Sequence, residues 1–150
     1  MVFIYNKLPI EREGKEMNQE NLIKEAKEIR KRAYTPYSKF PVGAALLTED
    51  GTLFTGCNIE NAAYPVTCCA ERVAIFKALS EGHTKFKELA VVADTKRPVP
   101  PCGSCRQVMS EFFPQEMKIH TTNLHGDTRT MTMEELLPFS FGAMDLTHED

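Results

Sequence analysis

Pro41-Val42-Gly43-Ala44-Ala45-Leu46-Leu47-Thr48 is a continuous apolar-rich run, followed by Glu49-Asp50-Gly51 and then by Thr52 to Cys57. An uninterrupted apolar run of this length reads as a strand buried on both faces. Asp-Gly between two such runs signals a tight reversal, so the stretch predicts an antiparallel hairpin. Upstream, Leu22, Ile23, Ala26, Ile29 and Ala33 fall at helical spacing and predict a helix from about Gln19 to Tyr34, ended by Pro36. Downstream, a loop from Asn58 to Thr67 leads to a helix from near Cys68 to Ser80, with Gly82 suited to the position after its cap. A strand, Phe86 to Ala93, is followed by a loop from Asp94 to Pro101 that holds three prolines. A third helix starts near Cys102 and stops before Pro114, and a short strand covers Met117 to Thr122. After a turn from Asn123 to Thr128, Thr130 to Leu137 reads as a strand-to-helix passage in which Thr132 and Glu135 match a capping box.

A hairpin followed by strands alternating with helices predicts an α/β domain, with a mixed sheet and helices packed on its faces. Residues 1–17 read as an N-terminal extension and residues 18–150 as one domain. The 150 residues, 42% hydrophobic, suffice for one sizeable core but would be cramped as two. A net charge of −3 and a pI near 5.8 argue against a polyanionic partner, which favours a basic face. The apolar run Leu89 to Ala93 is far short of the roughly 18 residues of a spanning helix. The start, Val2-Phe3-Ile4-Tyr5, is too short for a secretory signal, so the expected location is cytoplasmic.

Five cysteines, four of them in two tight clusters, fit a metal or redox pattern better than a disulfide framework. The clusters are Cys68-Cys69-Ala70-Glu71-Arg72 and Pro101-Cys102-Gly103-Ser104-Cys105-Arg106, and both open predicted helices. Cysteines three apart at a helix N-terminus can put two sulfurs on one metal, and the unpaired N–H groups there favour thiolates. A structural zinc takes four protein ligands, whereas a catalytic one takes three and keeps a position open. Cys-x-x-Cys alone is shared with redox proteins. A third cysteine followed two residues later by a carboxylate is a different constellation. Residues two apart on a regular helix point in nearly opposite directions. Cys69 and Glu71 can therefore meet only at the helix mouth, the longer side chain bending over the open position. Alone, Glu71 would be a first-turn glutamate favoured by the helix dipole. Three thiolates on Zn²⁺ carry a formal charge of −1, which opposes acidification of water, and Arg72 is the obvious compensating charge.

These residues resemble the cytidine deaminase family, the small free-nucleoside type. The matching blocks are Tyr37 to Ala45, Gly56 to Tyr64, Cys69 to Arg72, Pro101 to Val108, and Glu135 to Pro138, in the family's order, within a likeness running from about Gln19 to Leu146. The resemblance implies a three-layer α/β/α domain and one zinc held by Cys69, Cys102 and Cys105. It implies that Glu71 shuttles protons during hydrolytic deamination of cytidine and 2′-deoxycytidine, a step of pyrimidine salvage. Phe40 matches the residue that packs on the pyrimidine, Asn58 and Glu60 the pair that bonds the ribose, and the Ala70 backbone a group that reads the base edge. Tyr64 and Phe141 match positions shared between subunits of a homotetramer. Cys68 departs from the pattern; Cys69 keeps the spacing to Glu71. Cys57 reads as a buried strand-end residue and the four histidines as non-catalytic. Two other readings stay open: a zinc deaminase of another substrate, such as blasticidin S, a nucleotide or a base in nucleic acid; and a structural zinc or redox module that needs no Glu71.

Overall fold

The structure is a computed structural model that describes residues 17–147. The expected N-terminal extension lies outside the described residues, apart from Met17. Five strands form one sheet in the order β2-β1-β3-β4-β5. β1 (Val42–Thr48) pairs antiparallel with β2 (Leu53–Cys57) on one side and with β3 (Phe86–Ala93) on the other. β4 (Lys118–Asn123) runs parallel to β3, and β5 (Thr128–Thr132) closes the edge antiparallel to β4. The mixed sheet and its hairpin are those expected from the sequence.

Alternation along β1 divides the core into two layers. Ala45 and Leu47 face α1 (Gln19–Arg30), packing with Leu22, Ala26, Ala90 and Val92. Ala44 and Leu46 face the opposite way, into the larger cluster with Ala74 and Ile75 of α2 (Ala70–Ser80) and Met109 of α3 (Gly103–Phe112). The result is the expected α/β/α sandwich. Two glycines allow its layers to close. A Cβ on Gly43 would sit 2.0 Å from the Ala26 carbonyl oxygen, and one on Gly56 would sit 2.4 Å from that of Ala70. Gly56 thus lets the first turn of α2 lie directly on β2.

Three boundaries differ from expectation. α1 stops at Arg30 instead of Tyr34, because Tyr34 is drawn into a bridge with Ile59: its N–H donates to the Asn58 carbonyl and its own carbonyl accepts from Glu60. α2 starts at Ala70, since Cys68 exchanges backbone hydrogen bonds with Ile59 and is thereby held extended. Near the C-terminus, residues 143–146 form a short 3₁₀ turn beyond the last element read from the sequence. The capping box of Thr132 and Glu135 is present and starts α4 (Met133–Leu136).

Candidate metal centre and active site

The two cysteine-bearing helices open side by side on one face of the sheet. Cys69 is the N-cap of α2 and Cys102 the N-cap of α3, both extended (φ −71°, ψ 154° and φ −68°, ψ 166°). Ser or Asp at an N-cap would fold its side chain back onto the helix N–H groups. Neither cysteine makes such a bond. Their sulfurs instead approach to 3.9 Å, and with Cys105, one turn into α3 and buried, the three Sγ atoms all lie within 4.8 Å of one another.

This donor set fits zinc. Thiolates at about 2.3 Å from a tetrahedral ion are about 3.8 Å apart, close to the Cys69–Cys102 separation of 3.9 Å. Cys68 is not in the cluster, so the fourth protein ligand that a structural site needs is not supplied by the one neighbouring cysteine.

The electrostatics of the thiols point the same way. A hydrogen bond from Cys105, helped by Arg72, holds the Cys69 thiol well below the usual range, at about 5, against the effect of its partial burial. The same contact, with burial, pushes Cys105 upward, so of these two sulfurs Cys69 is the one that ionises first. The Arg72 guanidinium lies 3.6 Å from Cys69 Sγ and donates to the Thr67 carbonyl at 3.0 Å, and its buried Nε has no partner. Its position next to the sulfurs is the one the charge argument requires.

Glu71 occupies the second position of α2, only 5% exposed, within hydrogen-bonding reach of the Cys105 thiol. Burial, reinforced by the Cys69 charge, pushes its carboxyl up to about 7. A carboxyl with that affinity can hold or release a proton near neutrality, the property asked of a general acid–base. Ala70, also fully buried, precedes it and carries one of the helix's unpaired N–H groups.

Of the expected substrate contacts, Asn58 and Glu60 converge on one loop. Asn58 accepts from Val42 N–H (2.8 Å) and donates to the Phe40 carbonyl (2.9 Å). Glu60 accepts from Tyr37 N–H (2.9 Å), from Ser38 N–H and from the Ser38 hydroxyl. Phe40 stands partly exposed on that loop, and the Tyr37 ring lies 5.8 Å from that of Tyr64. Phe141 is different. Without the resemblance, Phe139 and Phe141 would be ordinary packing residues, yet both are exposed in this chain. The Phe141 carbonyl accepts from Gln107 (3.0 Å). Arg106 was not singled out by sequence. It donates to the Pro101 carbonyl (2.8 Å) and the Leu136 carbonyl (2.9 Å), tying the entry of α3 to the end of α4. Its place beside Cys105 was the only available signal.

A zinc-fitting thiol triad at paired helix N-termini, with a buried carboxyl in reach of one of its thiols, defines a zinc protein of the deaminase-like α/β class. The family model described as the cytidine and deoxycytidylate deaminase zinc-binding region matches residues 16–121. The chain belongs to that family. It is 58% identical over 132 residues to a cytidine deaminase of Sporosarcina psychrophila, covering 88% of this chain and 97% of that protein. The crystal structure of a cytidine deaminase from Burkholderia pseudomallei superposes with a TM-score of 0.82 at 48% identity, covering 83% of this chain and all of that one. A blasticidin-S deaminase of Bacillus cereus is more distant, 32% identical over 112 residues, 69% of this chain and 79% of that protein.

Proposed function

We propose that this protein is a zinc-dependent enzyme that hydrolyses the exocyclic amine of cytidine and 2′-deoxycytidine, releasing ammonia and the corresponding uridine, as a step of pyrimidine salvage. The observation that carries the reading is the burial of Glu71 beside a triad of thiols that leaves one tetrahedral position open. The contrast between 58% identity to a cytidine deaminase and 32% to a blasticidin-S deaminase favours the nucleoside.

In this reading Cys69, Cys102 and Cys105 hold the ion. Zinc, when bound, supplies a Lewis acid that makes water nucleophilic near neutral pH. Glu71 accepts a proton from water as its oxygen adds to C4 of the ring, passes it to N3, and delivers the second proton to the departing amine. A carboxyl near 7 accepts and returns protons with little driving force lost in either direction. Arg72 offsets the negative charge of the sulfurs. Phe40 covers the pyrimidine, the Ala70 N–H reads the base edge, and Asn58 with Glu60 reads the sugar. Asn58 has one N–H left after bonding Phe40, and Glu60 keeps about one of its four acceptor positions. A donor and an acceptor side by side suit a hydroxyl, which can satisfy both.

The working form is proposed to be a cytoplasmic homotetramer in which Tyr64 and Phe141 complete a neighbour's site. Their support is exposure: Tyr64 at 70%, Phe141 at 59% and Met144 at 82% leave apolar surface that association would bury. Among the described residues no helix is long and apolar enough to cross a membrane.

The test is direct. Cytidine incubated with the purified protein is expected to lose its cytosine absorbance as ammonia appears, and chelation of zinc is expected to stop it. A folded, zinc-loaded sample that leaves cytidine unchanged refutes the reading, and blasticidin S becomes the next substrate to assay.

A further inference from the structure

Asn58 holds the loop that carries Phe40 at the Phe40 carbonyl, and one small side chain joins that loop to Glu60. Ser38 donates its hydroxyl proton to Glu60 Oε1, and the Ser38 Oγ itself accepts from the Phe40 N–H at 3.0 Å. A serine oxygen accepting from the N–H two residues on is a local turn. It bends the chain through Lys39, whose φ of 57° is left-handed, and so fixes the direction in which Phe40 leaves the loop. A hydroxyl has one proton to give, and here it goes to the carboxylate. The backbone N–H groups of Tyr37 and Ser38 hold the other oxygen, at 2.9 and 3.2 Å. We propose that Ser38 is a positioning residue for substrate recognition: its hydroxyl locks the Glu60 carboxylate to the Phe40 turn, so that one side chain sets both the sugar-reading acceptor and the aromatic ring over the base.

The inference rests on the nucleoside reading above and adds to it the link between the two halves of the ligand. Ser38 is itself exposed and fills no core space, so removing its oxygen opens no cavity. What it removes is a charged hydrogen bond and the turn contact. Both act on binding and neither touches the proton chemistry at Glu71.

The experiment compares the zinc-loaded wild type with Ser38→Ala and Ser38→Thr, on cytidine and on 2′,3′-dideoxycytidine, which lacks the sugar hydroxyls that Asn58 and Glu60 would read. In Ser38→Ala, KM for cytidine is expected to rise about tenfold, the loss of one charge-assisted hydrogen bond, with kcat within about twofold. The preference for cytidine over the dideoxy analogue is expected to shrink by a similar factor. Threonine keeps the hydroxyl and should restore both values. An unchanged KM and preference in Ser38→Ala overturns the proposal. So does a Ser38→Thr variant as impaired as the alanine one, or an effect confined to kcat. If the wild type itself fails on cytidine, the functional reading falls first; if it turns cytidine over while Ser38→Ala matches it, only the positioning role falls.

Discussion

The N-termini of α2 and α3 present the same device, an extended cysteine N-cap whose sulfur turns away from its helix, yet they are seated in opposite ways. The start of α2 is pressed onto the sheet: Ala70 and Ala74 are fully buried, Glu71 nearly so, and Gly56 provides the space. The start of α3 is open: Cys102, Gly103 and Ser104 are exposed, and a Cβ on Gly103 would meet nothing within 4 Å. The arginines that follow differ likewise. Arg72 donates to a sulfur as well as to a backbone carbonyl, whereas Arg106 donates to the carbonyls of Pro101 and Leu136. A ligand has only to aim a sulfur. A proton carrier must also be kept dry and fixed, and packing provides that at α2 alone.

Glu71→Gln tests this division where the effect is largest. The amide preserves shape and burial but carries no transferable proton. We expect kcat to fall by roughly 10² to 10⁴, with zinc content by atomic absorption and melting temperature close to wild type. Loss of zinc or of cooperative unfolding would show that Glu71 belongs to the scaffold or the ligand set.

Gly56→Ala and Gly103→Ala set the two seats against each other. At Gly56 the new methyl meets the Ala70 carbonyl oxygen at 2.4 Å and the Ala74 nitrogen at 2.6 Å. These are backbone atoms that cannot rotate away, so α2 must lift. Overpacking of this kind costs about 1–3 kcal/mol, and the lift carries Glu71 out of place, so denaturant midpoint and kcat should both drop. Gly103→Ala should stay within about 0.5 kcal/mol in stability, as surface changes do. Equal responses at the two positions would erase the distinction.

The sequence carried the hairpin plainly, because Pro41 to Thr48 is apolar throughout and Asp50-Gly51 admits little but a turn. It carried the metal centre for a different reason: Cys69, Cys102 and Cys105 are chemically distinctive residues at helix starts, and helix starts are written in local sequence. What it did not carry is contact at long range. That Tyr34 leaves α1 to bridge Ile59, or that Gly56 is a seat for α2, depends on residues that only the folded sheet brings together. The engagement of Glu60 with Ser38, 22 residues away, is of the same kind. Phe141 shows the remaining gap. Its apolarity suggests packing, yet it stands 59% exposed in this chain.

The arginines give the finest test, since both follow a cysteine-bearing helix start and both make two recorded hydrogen bonds. Arg72→Gln removes the cation beside Cys69, whose thiol it helps to hold below the usual range, and leaves the Thr67 carbonyl to be satisfied by solvent. The sulfurs then keep more of their negative charge, which opposes generation of the nucleophile. The expected result is a loss in kcat of about tenfold, roughly 1.4 kcal/mol, with little change in unfolding midpoint. Arg106→Gln leaves the sulfurs alone but frees the carbonyls of Pro101 and Leu136, so the loss should fall on stability, about 1 kcal/mol by the usual worth of such bonds, with kcat per folded molecule retained. Steady-state kinetics and urea titration on the same two preparations separate these outcomes. The reverse pattern, chemistry lost at Arg106 and stability at Arg72, would mean that the open mouth of α3 is the one tuned for catalysis.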